Sequence, residues 1–176
     1  MNHQQRVSAI IQLGKTLGEV SANPQGSNWF PAYVEAEAHN KWFTSENISI
    51  ALRGISEMLA SEKIDKWLAE YVIPDERGLK KVGLIMAGNL PLVGFHDLLC
   101  VLISGNKAVI KTSSQDGILP KKLVETLISI ESEFEAQIEF ADGKLEDFTH
   151  VIATGTDNSA KYFEYYFGKY PNIIRK

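Results

Sequence analysis

The fold is decided by residues 82–114, which read VGLIMAGNLPLVGFHDLLCVLISGNKAVIKTSS. Residues 82–86 form a short, continuously apolar run, the pattern of a strand that is buried on both faces of a sheet. An apolar helix is predicted from Val93 to Ser104. Gly105-Asn106 ends it, because glycine tolerates the left-handed conformation that is common after a helix. Residues 108–110 then form a second buried strand, so this stretch predicts a right-handed parallel crossover.

The same alternation continues along the chain. A helix is predicted at 118–134, a strand at 137–140, a turn at Asp142-Gly143, a strand at 150–153 and a helix at 158–167. Residues 171–176 have the pattern of the entry to a further strand. A free strand edge at Ile173-Ile174 predicts association between copies of the chain or poor solubility. The predicted fold class is α/β, with a Rossmann-like, doubly wound parallel sheet.

The preceding region, residues 1–75, has helical periodicity. Its first helix repeats apolar residues at three- and four-residue spacing, and a second helix is predicted from Trp29 to Trp42. Ser45 is a candidate N-cap for a third helix. A fourth apolar stripe is formed by Ile64, Trp67, Leu68, Tyr71 and Val72. Residues 74–78 have the composition of a turn or linker, so we expect a helical region at 1–75 and an α/β region at 76–176.

Composition excludes several classes of protein. The 176 residues carry a net charge of −4 without a basic cluster, which argues against nucleic-acid binding. The single cysteine excludes an intramolecular disulfide and favours a reducing compartment such as the cytoplasm. The four histidines are not spaced as metal ligands. Residues 82–103 lack Lys and Arg but include Asn89, His96 and Asp97, which argues against a membrane span.

Polar residues follow three of the predicted strands, and parallel sheets bind ligands at the carboxyl ends of their strands. Asn89 lies in a Gly-Asn-Leu-Pro turn, where its amide could donate to a developing oxyanion or simply stabilise the turn. Lys111 is followed by Thr112, Ser113 and Ser114, a group that suits a ribose and its phosphate, or a solvated loop that caps the next helix.

The third strand end, at Gly155-Thr156, leads into a helix whose N-terminus could bind a pyrophosphate. The alternative is that Thr156 or Asp157 only caps this helix. The charge of Asp157 would repel a phosphate unless the side chain points away. The Gly-x-Gly-x-x-Gly fingerprint of dinucleotide-binding proteins does not occur in the sequence.

Two further features of residues 93–104 bear on chemistry. His96-Asp97 is close in sequence to the Asn89 turn, so the pair fits either substrate positioning or a satisfied polar contact. Cys100 lies within an apolar helix, where burial would raise the pKa of the thiol and leave it unreactive. We therefore expect Cys100 to be structural.

Taken together, the order and spacing of these motifs resemble those of aldehyde dehydrogenases. The turn at 88–91 is similar to their Asn-x-Pro turn, residues 103–114 to their strand ending in Lys-Pro-Ser-Glu, and residues 151–156 to their Phe-Thr-Gly-Ser turn. The Gly-Asn-x-Pro form and the Thr-Ser-Ser after the lysine resemble the acyl-CoA reductase branch, which includes the fatty-acid reductase of bacterial bioluminescence.

The resemblance implies an oxidoreductase that converts an acyl-CoA or other acyl thioester to an aldehyde with NAD(P)H. Asn89 would supply the oxyanion amide, and the loop with Lys111, Ser113 and Ser114 would bind the adenosine ribose. Gly155 and Thr156 would face the pyrophosphate, which makes 76–176 the dinucleotide-binding region. Ser114 replaces the family's glutamate and so removes a charge that would repel a 2′-phosphate, which favours NADP over NAD.

The resemblance also implies a nucleophilic cysteine in a second domain, and no residue of this sequence matches it. We therefore expect this chain to be the cofactor-binding portion of an acyl-CoA reductase and to be inactive by itself. Two alternatives remain open. The chain could be a complete, non-catalytic module that binds a nucleotide, or an assembly module that binds none.

Overall fold

The computed structural model describes residues 1–73 and 78–176, so the predicted linker lies outside the described residues except for Gly78. The α-helices are α1 (His3–Ala22), α2 (Phe30–His39), α3 (Ser45–Met58), α4 (Ser61–Leu68), α5 (Phe95–Ile103), α6 (Leu119–Ile130) and α7 (Asp157–Phe167). The strands are β1 (Lys81–Ile85), β2 (Lys107–Lys111), β3 (Ile138–Phe140), β4 (His150–Thr154) and β5 (Asn172–Arg175). A 3-10 helix at Ser132–Gln137 joins α6 to β3.

Within the described residues the strands form one sheet in the order β3-β2-β1-β4-β5, and every pair is parallel. The central strand β1 has its last residue, Ile85, in register with Lys111 of β2 on one side and Ala153 of β4 on the other. The chain changes direction across the sheet between β1 and β4. Such a switch point leaves a crevice beyond the carboxyl ends of the strands. The predicted doubly wound parallel sheet is therefore confirmed.

The crossovers cover both faces of the sheet. Helices α5 and α6 pack on the face that includes Val82 and Leu84, while α7 contacts β4 and β5 from the other face. Residues 141–149 connect β3 to β4 without a helix and cross that second face. Gly83 makes room for this loop, because a β-carbon there would lie 2.6 Å from Cδ2 of Leu145.

The N-terminal helices share an apolar core with α5 and α6. The buried Arg6 of α1 donates from Nε to the carbonyl of Ile103, at the end of α5, over 3.2 Å. The buried Trp29, immediately before α2, donates from its indole nitrogen to the hydroxyl of Thr126 on α6 over 3.0 Å. These contacts hold the N-terminal helices against α5 and α6. The division of the chain near residue 75 stays a prediction.

Some predicted helix ends shift by a few residues. Thr44, and not Ser45, caps α3, because its hydroxyl accepts the Asn47 amide over 3.2 Å. Helix α2 ends at His39, before the predicted end at Trp42, since Asn40 adopts an extended conformation. No helix among the described residues is long and apolar enough to cross a membrane.

Candidate functional site

The loops that follow β1 and β2 are in direct contact at the carboxyl edge of the sheet. The Met86 amide donates to the Lys111 carbonyl over 3.0 Å, just beyond the paired residues of the two strands. A β-carbon on Gly88 would lie 2.4 Å from Cβ of Ser113, so only glycine allows the two loops to approach this closely. The predicted Asn89 turn and the predicted Lys111 loop are therefore neighbours.

A cleft of about 1030 Å³ opens beside the end of β2, between α2 and the start of α6. Three of the residues predicted to bind a cofactor line it: Lys111, Ser113 and Ser114. Helix α6 adds Lys121 and Lys122, and the latter pairs with Glu125 over 3.3 Å. Lys111 and Lys121 form no ion pair with the described residues. With Glu35 also in the lining, the cleft keeps a small excess of positive charge beside its hydroxyl groups.

Helix α2 forms the opposite wall of this cleft. Nε2 of His39 donates to the Ser114 carbonyl over 2.6 Å, with the ring tautomer assigned from the acceptor. Glu35, one turn earlier on the same helix, also lines the cleft. The sequence did not predict that α2 contacts this loop, because no local pattern links His39 to Ser114, 75 residues later.

Asn89 lies at the edge of the sheet and is exposed. Its side chain forms no hydrogen bond within the part of the chain that the structure describes, so both amide hydrogens are free to donate. It is not one of the residues that line the cleft. Three residues later, Leu92 has a φ of 57°, an uncommon conformation for a residue with a side chain.

The amide of Leu92 donates to Oδ2 of Asp116 over 2.7 Å. Asp116 is only 4% exposed, and its other carboxylate oxygen forms no hydrogen bond with the described residues. Burial raises the pKa of Asp116 to about 6, although the amides of Leu92 and Leu119 favour the charged form. Sequence reasoning did not single out Asp116, because Asp followed by Gly is typical of a turn.

Gly155 and Thr156 lie on the other side of β1, at the end of β4. The Gly155 amide donates to the Arg175 carbonyl over 3.2 Å and therefore belongs to the pairing with β5. The Thr156 hydroxyl accepts the Ser159 amide over 3.4 Å and caps α7, as one of the two alternatives proposed. Neither residue lines the cleft, so the structure does not bring them together with Lys111, Ser113 and Ser114.

The remaining candidates on α5 have structural partners. Asp97 is buried, pairs with Arg175 of β5 and accepts the Thr154 hydroxyl over 3.2 Å, which makes it a satisfied polar contact. Burial, and then the charge of Asp97, raises the pKa of the Cys100 thiol, while Arg175 opposes the shift. A raised pKa leaves less thiolate at neutral pH and a weaker nucleophile. The described residues contain no group of three side chains that could hold a metal ion.

These features define an α/β protein with a Rossmann-like sheet and a polar cleft at its carboxyl edge. The fold is similar to that of the crystal structure of gamma-glutamyl phosphate reductase from Saccharomyces cerevisiae, with a TM-score of 0.59 at 13% identity. The alignment covers 98% of this chain and 51% of that chain, so this chain spans about half of the solved structure. At this identity the likeness shows the fold alone.

A family model described as acyl-CoA reductase (LuxC) matches residues 4–152, and the chain belongs to this family. A stretch of 73 residues, 40% of the chain, is 37% identical to the long-chain acyl-protein thioester reductase 2 of Photobacterium leiognathi, and it covers 15% of that protein. The predicted resemblance is confirmed. The family match includes Asn89 and Lys111 and ends before Gly155 and Thr156.

Proposed function

We propose that this chain forms the cofactor-binding portion of an acyl-CoA reductase, which converts an acyl-CoA or other acyl thioester to an aldehyde with NAD(P)H. Family membership supports a reductase acting on an acyl thioester. The observation that carries the proposal is the contact between the loops after β1 and β2. Through this contact the turn that carries Asn89 lies next to the loop that carries Ser113 and Ser114, which line the cleft together with Lys111.

The cleft fits the adenosine end of a nicotinamide dinucleotide. Its volume of about 1030 Å³ is at the upper end of the usual range for small-molecule sites. We propose that Lys111 and the hydroxyls of Ser113 and Ser114 bind the ribose and its phosphate. The pyrophosphate would lie toward Gly155, Thr156 and the N-terminus of α7, because α7 begins directly after β4, which pairs with β1 at the switch point.

The free side chain of Asn89 supports a role in stabilising the transition state. Its amide would donate to the oxygen of the thioester as charge develops there, an interaction that is typically worth about 2.7–4 kcal/mol for one donor. The bound dinucleotide supplies the hydride that reduces the thioester. The raised pKa of Cys100 argues against it as the nucleophile, so we propose that the catalytic cysteine lies outside this chain.

The isolated chain is expected to bind NADP⁺ more tightly than NAD⁺ in a calorimetric titration, because the cleft presents lysines and no charge at Ser114. Ser114→Glu should weaken NADP⁺ binding at least about 10-fold and leave NAD⁺ nearly unchanged, since a carboxylate there would repel a 2′-phosphate. Ser114→Gln is the control of similar size without the charge. Equal weakening of both nucleotides by Ser114→Glu would contradict the NADP preference.

The same titration separates a chain that binds a nucleotide from an assembly module that binds none. No detectable binding of either nucleotide would overturn the proposal and favour an assembly module. Lys111→Met should weaken both nucleotides, because it removes the ammonium group and keeps a side chain of similar length.

Acyl-CoA-dependent oxidation of NADPH by the catalytic partner domain is expected to require this chain. When Asn89→Ala is supplied in place of the natural chain, the rate should fall about 100- to 1000-fold, the usual consequence of removing one oxyanion donor. Gln4→Ala, which removes an exposed side-chain amide of α1 outside the cleft, is the control and should retain most of the activity. Equal rates with and without this chain would exclude it from the reaction.

A further inference from the structure

We propose that Asp116 is a positioning residue that couples the Asn89 turn to the Lys111 loop. Binding of a nucleotide in the cleft would then change the position of the Asn89 side-chain amide. This inference rests on the proposed function. It concerns a residue that carries none of the predicted cofactor or substrate contacts.

The first half of the coupling is the bond from Asp116 to the turn after β1. Oδ2 of Asp116 accepts the Leu92 amide over 2.7 Å, and Leu92 is itself buried in the left-handed region, with a φ of 57°. A non-glycine residue keeps this conformation only when its surroundings determine it. The carboxylate therefore fixes the end of the Asn89-Leu90-Pro91-Leu92 turn and, with it, the place from which Asn89 donates.

The second half is the anchoring of Asp116 within the loop after β2. Its backbone amide donates to the Ser113 carbonyl over 3.3 Å, and the Gln115 amide donates to the Ser113 hydroxyl over 3.1 Å. A β-carbon on Gly88 would lie 3.1 Å from the Asp116 nitrogen, so the two loops are packed together at this residue. Movement of the Ser113 loop is thereby transmitted to Leu92 through one side chain.

Asp116 acts through Leu92 and not by touching a ligand. The cavity beside its carboxylate is about 10 Å³, which is at most the space of one water molecule, and it is lined by apolar residues such as Met86, Phe95 and Leu98. A buried carboxylate is unfavourable, but a hydrogen bond from an amide to a charged oxygen is stronger than one to a neutral oxygen. An aliphatic residue at this position would leave the Leu92 amide buried without an acceptor.

The test uses backbone and side-chain amide resonances of the ¹⁵N-labelled chain. In Asp116→Ala, hydrogen exchange of the Leu92 amide should accelerate at least about 10-fold, since the acceptor is lost. Asp116→Asn keeps an oxygen that can accept this bond, so its exchange rate should stay within about 3-fold of the natural chain. Ile10→Val, which removes one buried methyl group from α1, is the control for general loss of stability.

The second readout is the response to NADP⁺. In the natural chain, NADP⁺ should shift the side-chain amide resonance of Asn89, although Asn89 does not line the cleft. In Asp116→Ala this shift should disappear while the Ser114 amide still responds, and Asp116→Asn should restore it. If Asp116 only stabilised the fold, the substitution would change the responses of Asn89 and Ser114 to NADP⁺ together. If Asp116→Ala does not fold, Asp116→Ser, whose hydroxyl is too short to reach Leu92, takes its place.

Persistence of the Asn89 shift in Asp116→Ala, or its equal loss in Ile10→Val, would overturn the coupling. Unchanged exchange at Leu92 in Asp116→Ala would overturn it as well. If NADP⁺ and NAD⁺ shift no resonance at all, the proposed function fails. In that case, accelerated hydrogen exchange at both Leu92 and Ser114 in Asp116→Ala would still support the link between the two loops.

Discussion

Replacing Trp29 with alanine is expected to lower the free energy of unfolding by about 3–5 kcal/mol, the usual range for a large buried aromatic residue. The side chain is fully buried where the chain enters α2. Its indole nitrogen donates to the Thr126 hydroxyl on α6 over 3.0 Å. Alanine would leave a cavity between the two helices that form the walls of the cleft, so nucleotide binding should weaken together with stability.

The chain offers a matched control for this substitution. Trp42 is 80% exposed in the turn after α2, so Trp42→Ala should change the free energy of unfolding by no more than about 0.5 kcal/mol. Trp29→Phe should lie between the two, because it keeps most of the buried apolar surface and loses the hydrogen bond. Urea unfolding followed by circular dichroism measures all three. A similar midpoint for Trp29→Ala and Trp42→Ala would show that the α2–α6 contact contributes little.

The α/β region could be predicted because its strands are buried on both faces. Such strands appear in the sequence as short, continuously apolar runs, as at 82–86 and 108–110, and β1 and β2 lie there. Gly105 has the positive φ, 78°, that its place after an apolar helix predicts. In these segments the backbone conformation that the local sequence favours is the one found in the folded chain, so the local sequence was sufficient to predict the strands and the helix end.

The end of α6 could not be predicted from periodicity. The helix predicted from residue 118 extends to Phe134. In the structure Glu131 adopts an extended conformation and α6 ends at Ile130. Phe134 is nevertheless fully buried, because the 3-10 helix at Ser132–Gln137 returns it to the core. Burial alone does not reveal which backbone geometry produces it.

The fourth helix was also predicted to extend too far, but here the residues beyond its end are exposed. Tyr71 and Val72 continue the apolar spacing of Ile64, Trp67 and Leu68, and the sequence therefore predicted a longer stripe. In the structure α4 ends at Leu68, and the two later residues are exposed. An apolar side chain at helical spacing is consistent with a core position but does not require one, because much of any protein surface is apolar.

For the candidate site, the residues that sequence reasoning found lie at the ends of strands or shortly after them. Asn89 lies in the turn after β1, and Lys111 is the last residue of β2. His39 and Asp116 were missed, because each acts through a partner far along the chain: His39 through Ser114, 75 residues away, and Asp116 through Leu92, 24 residues away. Such pairs depend on tertiary packing, which a single sequence with local patterns does not reveal.

Asp116 is expected to make the stability of this chain depend on pH in a direction opposite to that of a typical salt-bridged carboxylate. Burial raises the pKa of Asp116 to about 6 in the folded chain, against an ordinary value of 3.8. The folded chain then binds the proton more tightly, so the contribution to stability is fully present below pH 3.8 and is lost as the pH rises through 6. This difference in pKa between the folded and the unfolded chain corresponds to about 3 kcal/mol when the contribution is fully present.

Other carboxylates also titrate in this range, so the measurement is a comparison between the natural chain and Asp116→Asn. The free energy of unfolding of Asp116→Asn, relative to the natural chain, should increase by about 2.4 kcal/mol between pH 4 and pH 7. Any constant cost of fitting the new amide group cancels in this comparison. A difference that does not change with pH would show that the Asp116 carboxyl has an ordinary pKa in the folded chain. The Asp116 carboxylate lowers stability at neutral pH, and it holds the turn of a proposed active site. Function therefore explains its presence better than folding does.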